Sequence, residues 1–250
     1  MTNKRRDFCA SKRTIANAME EIKSSQVESM VVVHGGGSFG HPLAKKYHLS
    51  DGYVNDSQLI GVAETRQAMM KLNKIILDSA INRKLRCVSV QPSAFIRTRN
   101  KRIEEIDLDI VRNVLDLRMI PLMFGDVVLD QELKFCILSG DQLTSRLAME
   151  LEAKRMILAT NVDGVYDSDP KNPEAKLMKR MTIQDVRNLV ETEAEGNQSV
   201  DVTGEMIGKM REILPVVEKG IQVIVLNGRM CGRISMALTG KTVIGTIIEK

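Results

Sequence analysis

Tryptophan is absent from this 250-residue chain, and its whole aromatic complement is 5 Phe and 3 Tyr. Proteins that hold single-stranded nucleic acid stack bases on aromatic side chains. So sparse a set argues against that class, and no nucleic-acid partner is expected. No apolar run reaches the roughly 18 residues of a membrane-spanning helix, so no membrane partner is expected either. The opening Met-Thr-Asn-Lys-Arg-Arg-Asp-Phe is polar where a secretory leader is apolar. The 4 cysteines, Cys9, Cys87, Cys136 and Cys231, are scattered and form no C-x-x-C pair. Neither a metal ribbon nor a disulfide framework follows from them, and a reducing cytoplasm is the expected location. Charge of one sign is not in excess: 36 Lys and Arg against 32 Asp and Glu leave +4, too little to demand a polyanionic partner.

What is present is the material of a globular core, with 43% apolar and 27% charged residues. Short β-branched runs at 30–33, 87–90, 120–124, 135–138, 156–159, 222–226 and 243–248 read as strands. They alternate with amphipathic stretches at 12–23, 57–84, 107–117, 142–152, 183–191 and 206–219. That alternation predicts an α/β fold with a mainly parallel sheet. One domain over 1–250 is expected, softly divided into an N-terminal lobe of about 1–138 and a C-terminal lobe of about 139–250.

The richest segment is Val31-Val-Val-His-Gly-Gly-Gly-Ser-Phe-Gly-His41. Glycines after a buried strand allow a sharp turn that presents backbone N–H groups. A helix starting near Ser38 would add its free amides and dipole, and a phosphate is the natural guest. The bland alternative is a tight strand–helix turn. Gly35, Gly37 and Gly40 also satisfy G-x-G-x-x-G, but no second strand with an acidic end follows, so the dinucleotide fingerprint is incomplete. Gly36, Ser38 and Gly40 satisfy G-x-S-x-G, yet His34, His41 and His48 are the only histidines, and none lies late enough to serve that serine. Their spacing is no zinc pattern, and no metal ligand is assigned. His41 can donate to a phosphate oxygen, or can cap and pack the helix start; both readings stay open.

Downstream, Asp163-Gly-Val-Tyr-Asp-Ser-Asp-Pro-Lys-Asn-Pro173 follows a strand, at the end where open α/β sheets bind ligands. Read blandly, it is a solvated loop of turn formers. Asp141, in Ser139-Gly140-Asp141, can orient lysines, hold a metal or cap the following helix; capping is the simplest role for a single residue. Lys209 follows a Thr203 cap candidate and Gly204. It is either an ordinary surface lysine or the cation of a second anion site.

Taken together, these segments resemble the amino acid kinase superfamily, and within it the archaeal-type isopentenyl phosphate kinases. The residues that carry the likeness are HGGGSFGH (34–41), LN (72–73), VSVQPSAF (88–95), GDV (125–127), SGDQL (139–143), TNVDGVYDSDPKNPEAKL (160–177), DVTG with Lys209 (201–209), NG (227–228) and GT (245–246). The resemblance implies an αβα sandwich with an open, mainly parallel central sheet, commonly dimeric. It implies transfer of a phosphoryl group from ATP, with Mg²⁺, to isopentenyl phosphate. Gly36 and His41 would then hold the acceptor phosphate in the N-terminal lobe, and Gly140 would line the acceptor site. Val62 and Thr65 would wall the prenyl tail. Gly37, Asn161, Asp163, Gly204, Glu205 and Lys209 would face the nucleotide, the last five in the C-terminal lobe. Lys4 would be the transition-state lysine, and Asp141 would position lysines. Fosfomycin-type and carboxylate kinases of the superfamily, or a non-catalytic phosphate binder, are the alternatives.

Two departures from the pattern are expected to matter. The family begins with a strand and a K-x-G-G-S loop ahead of the T-x-K element that Thr2-Asn3-Lys4 resembles. Roughly ten residues, a strand and its turn, are therefore expected to be missing. A start codon placed too late or a shortened chain would explain this, as would real loss of chemistry. Glu205 stands where the family has a second glycine, an acidic side chain beside a triphosphate unless it points away or meets Mg²⁺.

Overall fold

The computed structural model describes residue 2 and residues 7–194 and 204–250. The chain divides into two compact units, Met1–Leu143 and Thr144–Lys250. The first holds α1 (Lys12–Ser25), β1 (Val32–His34), α2 (Gly37–Lys46), α3 (Ser57–Ile81), β2 (Cys87–Ser89), β3 (Ile96–Arg99), β4 (Arg102–Ile106), α4 (Asp109–Asp116), β5 (Ile120–Phe124), β6 (Asp126–Asp130) and β7 (Lys134–Leu138). The helix α5 (Gly140–Glu150) carries the chain across the division. The second holds β8 (Arg155–Thr160), β9 (Arg180–Thr182), α6 (Ile183–Ala194), α7 (Gly204–Glu218), β10 (Gln222–Asn227), α8 (Arg233–Leu238) and β11 (Gly245–Glu249).

In the first unit β5 runs between β1 and β2, parallel to both, with Val32 opposite Leu122 and Cys87 opposite Ile120. Every residue of β5 is buried, as befits a parallel strand covered on both faces. Helices α3 and α4 pack against it. Helix α3 buries Gly61, Thr65, Ala68, Met69, Leu72, Asn73, Ile76 and Ala80, one stripe at helical spacing. The helix was expected to run to residue 84. It ends at Ile81, because Lys84 turns left-handed at φ 60° and its N–H closes back on Ile81.

A second sheet, in the order β4-β3-β6-β7, joins two antiparallel hairpins through the parallel pair β3–β6. Three of its strands, β3, β4 and β6, were not expected. The β3–β4 turn is Asn100-Lys101, both at positive φ, and Ile96 and Thr98 are buried between exposed arginines. Alternation diluted by charge hides such a hairpin from a search for β-branched runs.

In the second unit β10 lies between β8, parallel, and β11, antiparallel, and β9 pairs with β11 in parallel. Val223–Leu226 are buried. Helices α6 and α7 pack on one another, α7 on β10, and α8 on β8 and β10. The short β9 was also not expected. Parallel pairs outnumber antiparallel ones among the described residues, as the strand–helix alternation predicted.

One buried carboxylate organises both hairpins of the second sheet. Asp130, 4% exposed, accepts N–H bonds from Asn100 (3.1 Å), Lys101 (2.8 Å), Glu132 (3.0 Å) and Leu133 (2.9 Å). Burial alone would raise its pKa. The amides, those of Leu133 and Lys101 foremost, outweigh burial and hold it well below the usual carboxylate range. A depressed folded-state pKa contributes stability that is complete above the unfolded value of about 4 and is lost as pH falls toward the folded one. Asp130→Ala leaves four amides without an acceptor and is expected to cost about 3 kcal/mol in urea unfolding at pH 7. The deficit should shrink as the wild type is titrated below pH 4.

Candidate active site

The strand β1 delivers the chain to the glycine segment. Its last residue, His34, is buried. Helix α2 then starts at Gly37, one residue before the expected start. Gly37 has φ 47°, a left-handed backbone, and a Cβ there would collide with Thr2 Oγ1; only glycine fits. The Ser38 N–H donates to that same Thr2 hydroxyl at 3.2 Å. Phe39 and Gly40 N–H groups close on Gly36 O.

Two other glycine segments reach this level. The Gly125 N–H, just past β5, donates to His34 O at 3.0 Å. Gly140, at the start of α5, lies alongside: a Cβ there would sit in ordinary contact, 3.4 Å from His34 O and 3.6 Å from Gly35. Gly36 and Gly140, predicted for one phosphate, are thus gathered at the end of β1.

His41 is an exposed residue inside α2. This corrects its capping and packing alternatives: Thr2 supplies the side-chain oxygen at the helix start, and the His41 ring faces solvent. A second correction concerns Asp141. The Gln142 N–H donates to Ser139 Oγ at 3.0 Å, and Leu143 N–H to Ser139 O. Ser139 caps α5, and Asp141 sits in its first turn. The serine-hydrolase candidate Ser38 is buried, with its hydroxyl donating to Cys9 O at 3.4 Å.

On α3, Thr65 is buried on the core side, and its hydroxyl has no hydrogen-bond partner among the described residues. Val62 is half-buried against Leu49, Val127 and Phe135. Sequence reasoning missed the neighbouring Arg66. Its Nη2 donates to Ser93 Oγ at 2.7 Å, and its Nε lies 3.8 Å from the buried Asp126 Oδ1. The signal was the GDV motif itself, since Asp126 follows Gly125.

Also missed was the chain beneath the loop. His34 Nδ1 lies 3.1 Å from Gly35 O and Nε2 3.2 Å from Asn73 Oδ1, while Asn73 Nδ2 reaches Ser89 Oγ at 2.6 Å. Burial pushes the His34 pKa down, and the bonds to Gly35 and Asn73 pull part of the way back.

In the second unit Asn161 and Asp163 follow β8, Asn161 exposed and Asp163 half-buried. Asp163 Oδ1 accepts from Arg233 Nη1 at 2.7 Å and from Asn227 Nδ2 at 3.1 Å. Burial would raise the Asp163 pKa; Asn227 and Arg233 reverse this and lower it. Arg233 went unremarked in the sequence, although Asn227 belongs to the NG pair. Gly204 opens α7, with Glu205 exposed in its first turn and Lys209 half-buried further along. Lys4 and Thr203 lie outside the described residues. Among the described residues no group of three or more His, Cys, Asp or Glu could hold a metal ion, and no helix is long and apolar enough to cross a membrane.

A profile described as the Amino acid kinase family matches residues 2–227. The isopentenyl phosphate kinase of Methanothermobacter thermautotrophicus is 40% identical over 91% of this chain and 87% of its own. That of Methanocaldococcus jannaschii is 35% identical over 94% and 86%. A crystallographic isopentenyl phosphate kinase superposes with a TM-score of 0.84 at 36% identity, covering 96% of this chain and 92% of the other. The predicted fold class holds, an α/β architecture with mainly parallel sheets and helices on both sides. The chain belongs to the amino acid kinase family and is similar, over nearly its whole length, to the isopentenyl phosphate kinases within it.

Proposed function

We propose that this chain transfers the γ-phosphoryl group of ATP to isopentenyl phosphate, giving isopentenyl diphosphate and ADP in isoprenoid biosynthesis. The observation that carries the reading is the gathering of Gly36 and Gly140 at the end of β1, with the exposed His41 on the helix that rises from it. Backbone N–H groups at a helix start, with an imidazole beside them, suit a phosphate monoester. The likeness to named isopentenyl phosphate kinases supports that acceptor over fosfomycin or a carboxylate.

In this reading an acceptor phosphate oxygen attacks the γ-phosphorus in line, the bond to the β-bridging oxygen breaks, and ADP departs. Little covalent chemistry falls to the protein; positioning and charge stabilisation do the catalysis. Gly36 and His41, in an N-terminal lobe of about 1–138, hold the acceptor phosphate, Gly140 lines that site, and Val62 and Thr65 stand behind the acceptor's tail. Gly37, Asn161, Asp163, Gly204, Glu205 and Lys209 serve the nucleotide, the last five in a C-terminal lobe of about 139–250. Lys4 neutralises the transferring group, and Asp141 orients lysines. Glu205, exposed in the first turn of α7, is favoured there by the helix dipole. Mg²⁺ is held mainly by substrate phosphates and waters in such sites, which suits a chain whose described residues offer no metal cage. Bound there, it would neutralise triphosphate charge. A cytoplasmic homodimer is the proposed working form, and the four free thiols suit a reducing compartment.

Coupled ADP release with isopentenyl phosphate, against a panel of fosfomycin, carbamate and acetylglutamate, tests the reading; turnover only with another acceptor discards it. His41→Ala removes one charge-assisted bond of roughly 1.5–3 kcal/mol. It should raise the acceptor KM roughly 10- to 100-fold and leave the ATP KM alone. Lys4→Ala should instead lower kcat, by roughly a hundredfold or more. Arg233→Ala releases Asp163. Its pKa should rise in a carbon-13 carboxyl titration, and the ATP KM should rise with the acceptor KM unchanged.

A further inference from the structure

Below the glycine segment, His34, Asn73 and Ser89 form a polar chain that the proposed reaction does not use. His34 and Asn73 are each 5% exposed. The His34 ring stacks on Phe124 with centroids 5.5 Å apart and planes 25° from parallel. Burying an imidazole and a carboxamide costs more than burying apolar side chains of similar size unless their bonds achieve something further.

We propose that the His34–Asn73–Ser89 chain is a positioning device that aims the Gly36 amide at the acceptor phosphate; this rests on the reading of the loop given above. Gly35 O lies 3.1 Å from His34 Nδ1. A carbonyl oxygen only accepts, so Nδ1 carries the hydrogen and donates. The Gly35–Gly36 peptide is planar and trans, so its N–H points opposite to its C=O. Holding Gly35 O against the buried ring therefore turns the Gly36 N–H away from that ring. The space beside the Gly35 Cα is open, since a Cβ there would meet nothing within 4 Å. A peptide between two glycines turns over freely unless something grips it.

The imidazole is that grip, and Phe124 and Asn73 fix the imidazole. In the structure Asn73 Oδ1 faces Nε2 and Nδ2 faces Ser89 Oγ; the proposal turns this carboxamide over, because a neutral ring protonated at Nδ1 can only accept at Nε2 and so takes Nδ2 as its donor. The Ser89 hydroxyl then donates to Asn73 Oδ1 at the other end of the amide. The three residues come from β1, α3 and β2, so the ring is clamped between separate elements of the first unit. None of them touches the phosphate in this scheme; each acts through the backbone.

The test separates the two nitrogens. In His34→Asn a side-chain N–H remains where Nδ1 was, whereas His34→Gln places its N–H near the former Nε2. The Gln variant should raise the acceptor KM about tenfold, the worth of one hydrogen bond. The ATP KM should stay within about twofold, and His34→Asn should recover most of the loss. Equal losses in both variants, accompanied by equal falls in Tm, would mean mere support of the fold and overturn the proposal, as would an unchanged KM in His34→Gln. Nitrogen-15 NMR of the wild type should show the Nδ1–H tautomer; the Nε2–H tautomer overturns the proposal even where the variants fail to fold. Ser89→Ala, a milder change, should move the acceptor KM in the same direction. If the wild type neither binds nor turns over isopentenyl phosphate, the reading of the loop fails and takes this inference with it. A wild type that turns over beside an unaffected His34→Gln fails the inference alone.

Discussion

Three backbone segments meet where β1 ends, and their closest approach passes over Gly125. A Cβ on Gly125 would lie 3.0 Å from Gly140 N and 3.1 Å from Leu138 O, tighter than side chains normally pack, whereas one on Gly140 would sit in ordinary contact, 3.4 Å from His34 O and 3.6 Å from Gly35. The Gly125 N–H closes the knot by donating to His34 O. Both helices that bear proposed acceptor-side residues, α2 with His41 and α5 with Gly140, start from this point. Enlarging Gly125 would push on backbone rather than on a flexible side-chain end, and the start of α5 would have to give way with it. The constraint thus reaches from one small residue to the placement of a helix start.

The second unit solves its own version of the problem with side chains. Thr160, at the end of β8, accepts the Gly228 N–H through its carbonyl, and its hydroxyl donates to Val162 O at 2.8 Å. Beyond it, Asp163 is pinned by Asn227 from β10 and by Arg233, whose side chain is only 11% exposed. A loop held by an ion pair keeps a definite charge pattern as well as a shape. That suits a polyanionic nucleotide, for which the cation and the carboxylate must not exchange places.

Much of this was legible before any coordinates. Apolar strands such as 120–124 and 222–226 declared themselves because they are covered on both faces, and the glycine run marked the β1–α2 junction. Other parts were hidden for identifiable reasons. The strands β3 and β4 read Ile-Arg-Thr-Arg and Arg-Ile-Glu-Glu-Ile, half exposed and highly charged, so hydrophobic-run reasoning passes over them. Ser139 rather than Asp141 caps α5 because the helix begins two residues earlier than periodicity indicated, a common uncertainty at helix ends. Arg66, Asn73, Ser89 and Arg233 act through partners far away in sequence, 27, 39, 16 and 70 positions off. No local pattern could pair them.

Two buried ionisable groups of the first unit, Asp130 and His34, show one rule used with opposite signs. At Asp130 four N–H groups must converge inward so that two hairpins close, and the chain supplies a buried carboxylate to accept them. At His34 an N–H must point outward, and the chain supplies a buried donor that grips the carbonyl of the same peptide. The charge states follow. The converging amides hold Asp130 ionised far into acid, whereas burial favours a neutral ring at His34. Each side chain is spent on the direction of a peptide rather than on contact with a ligand. A buried polar residue beside a glycine-rich turn is therefore informative even where it cannot reach the substrate: its bond to one end of a peptide states where the other end must look.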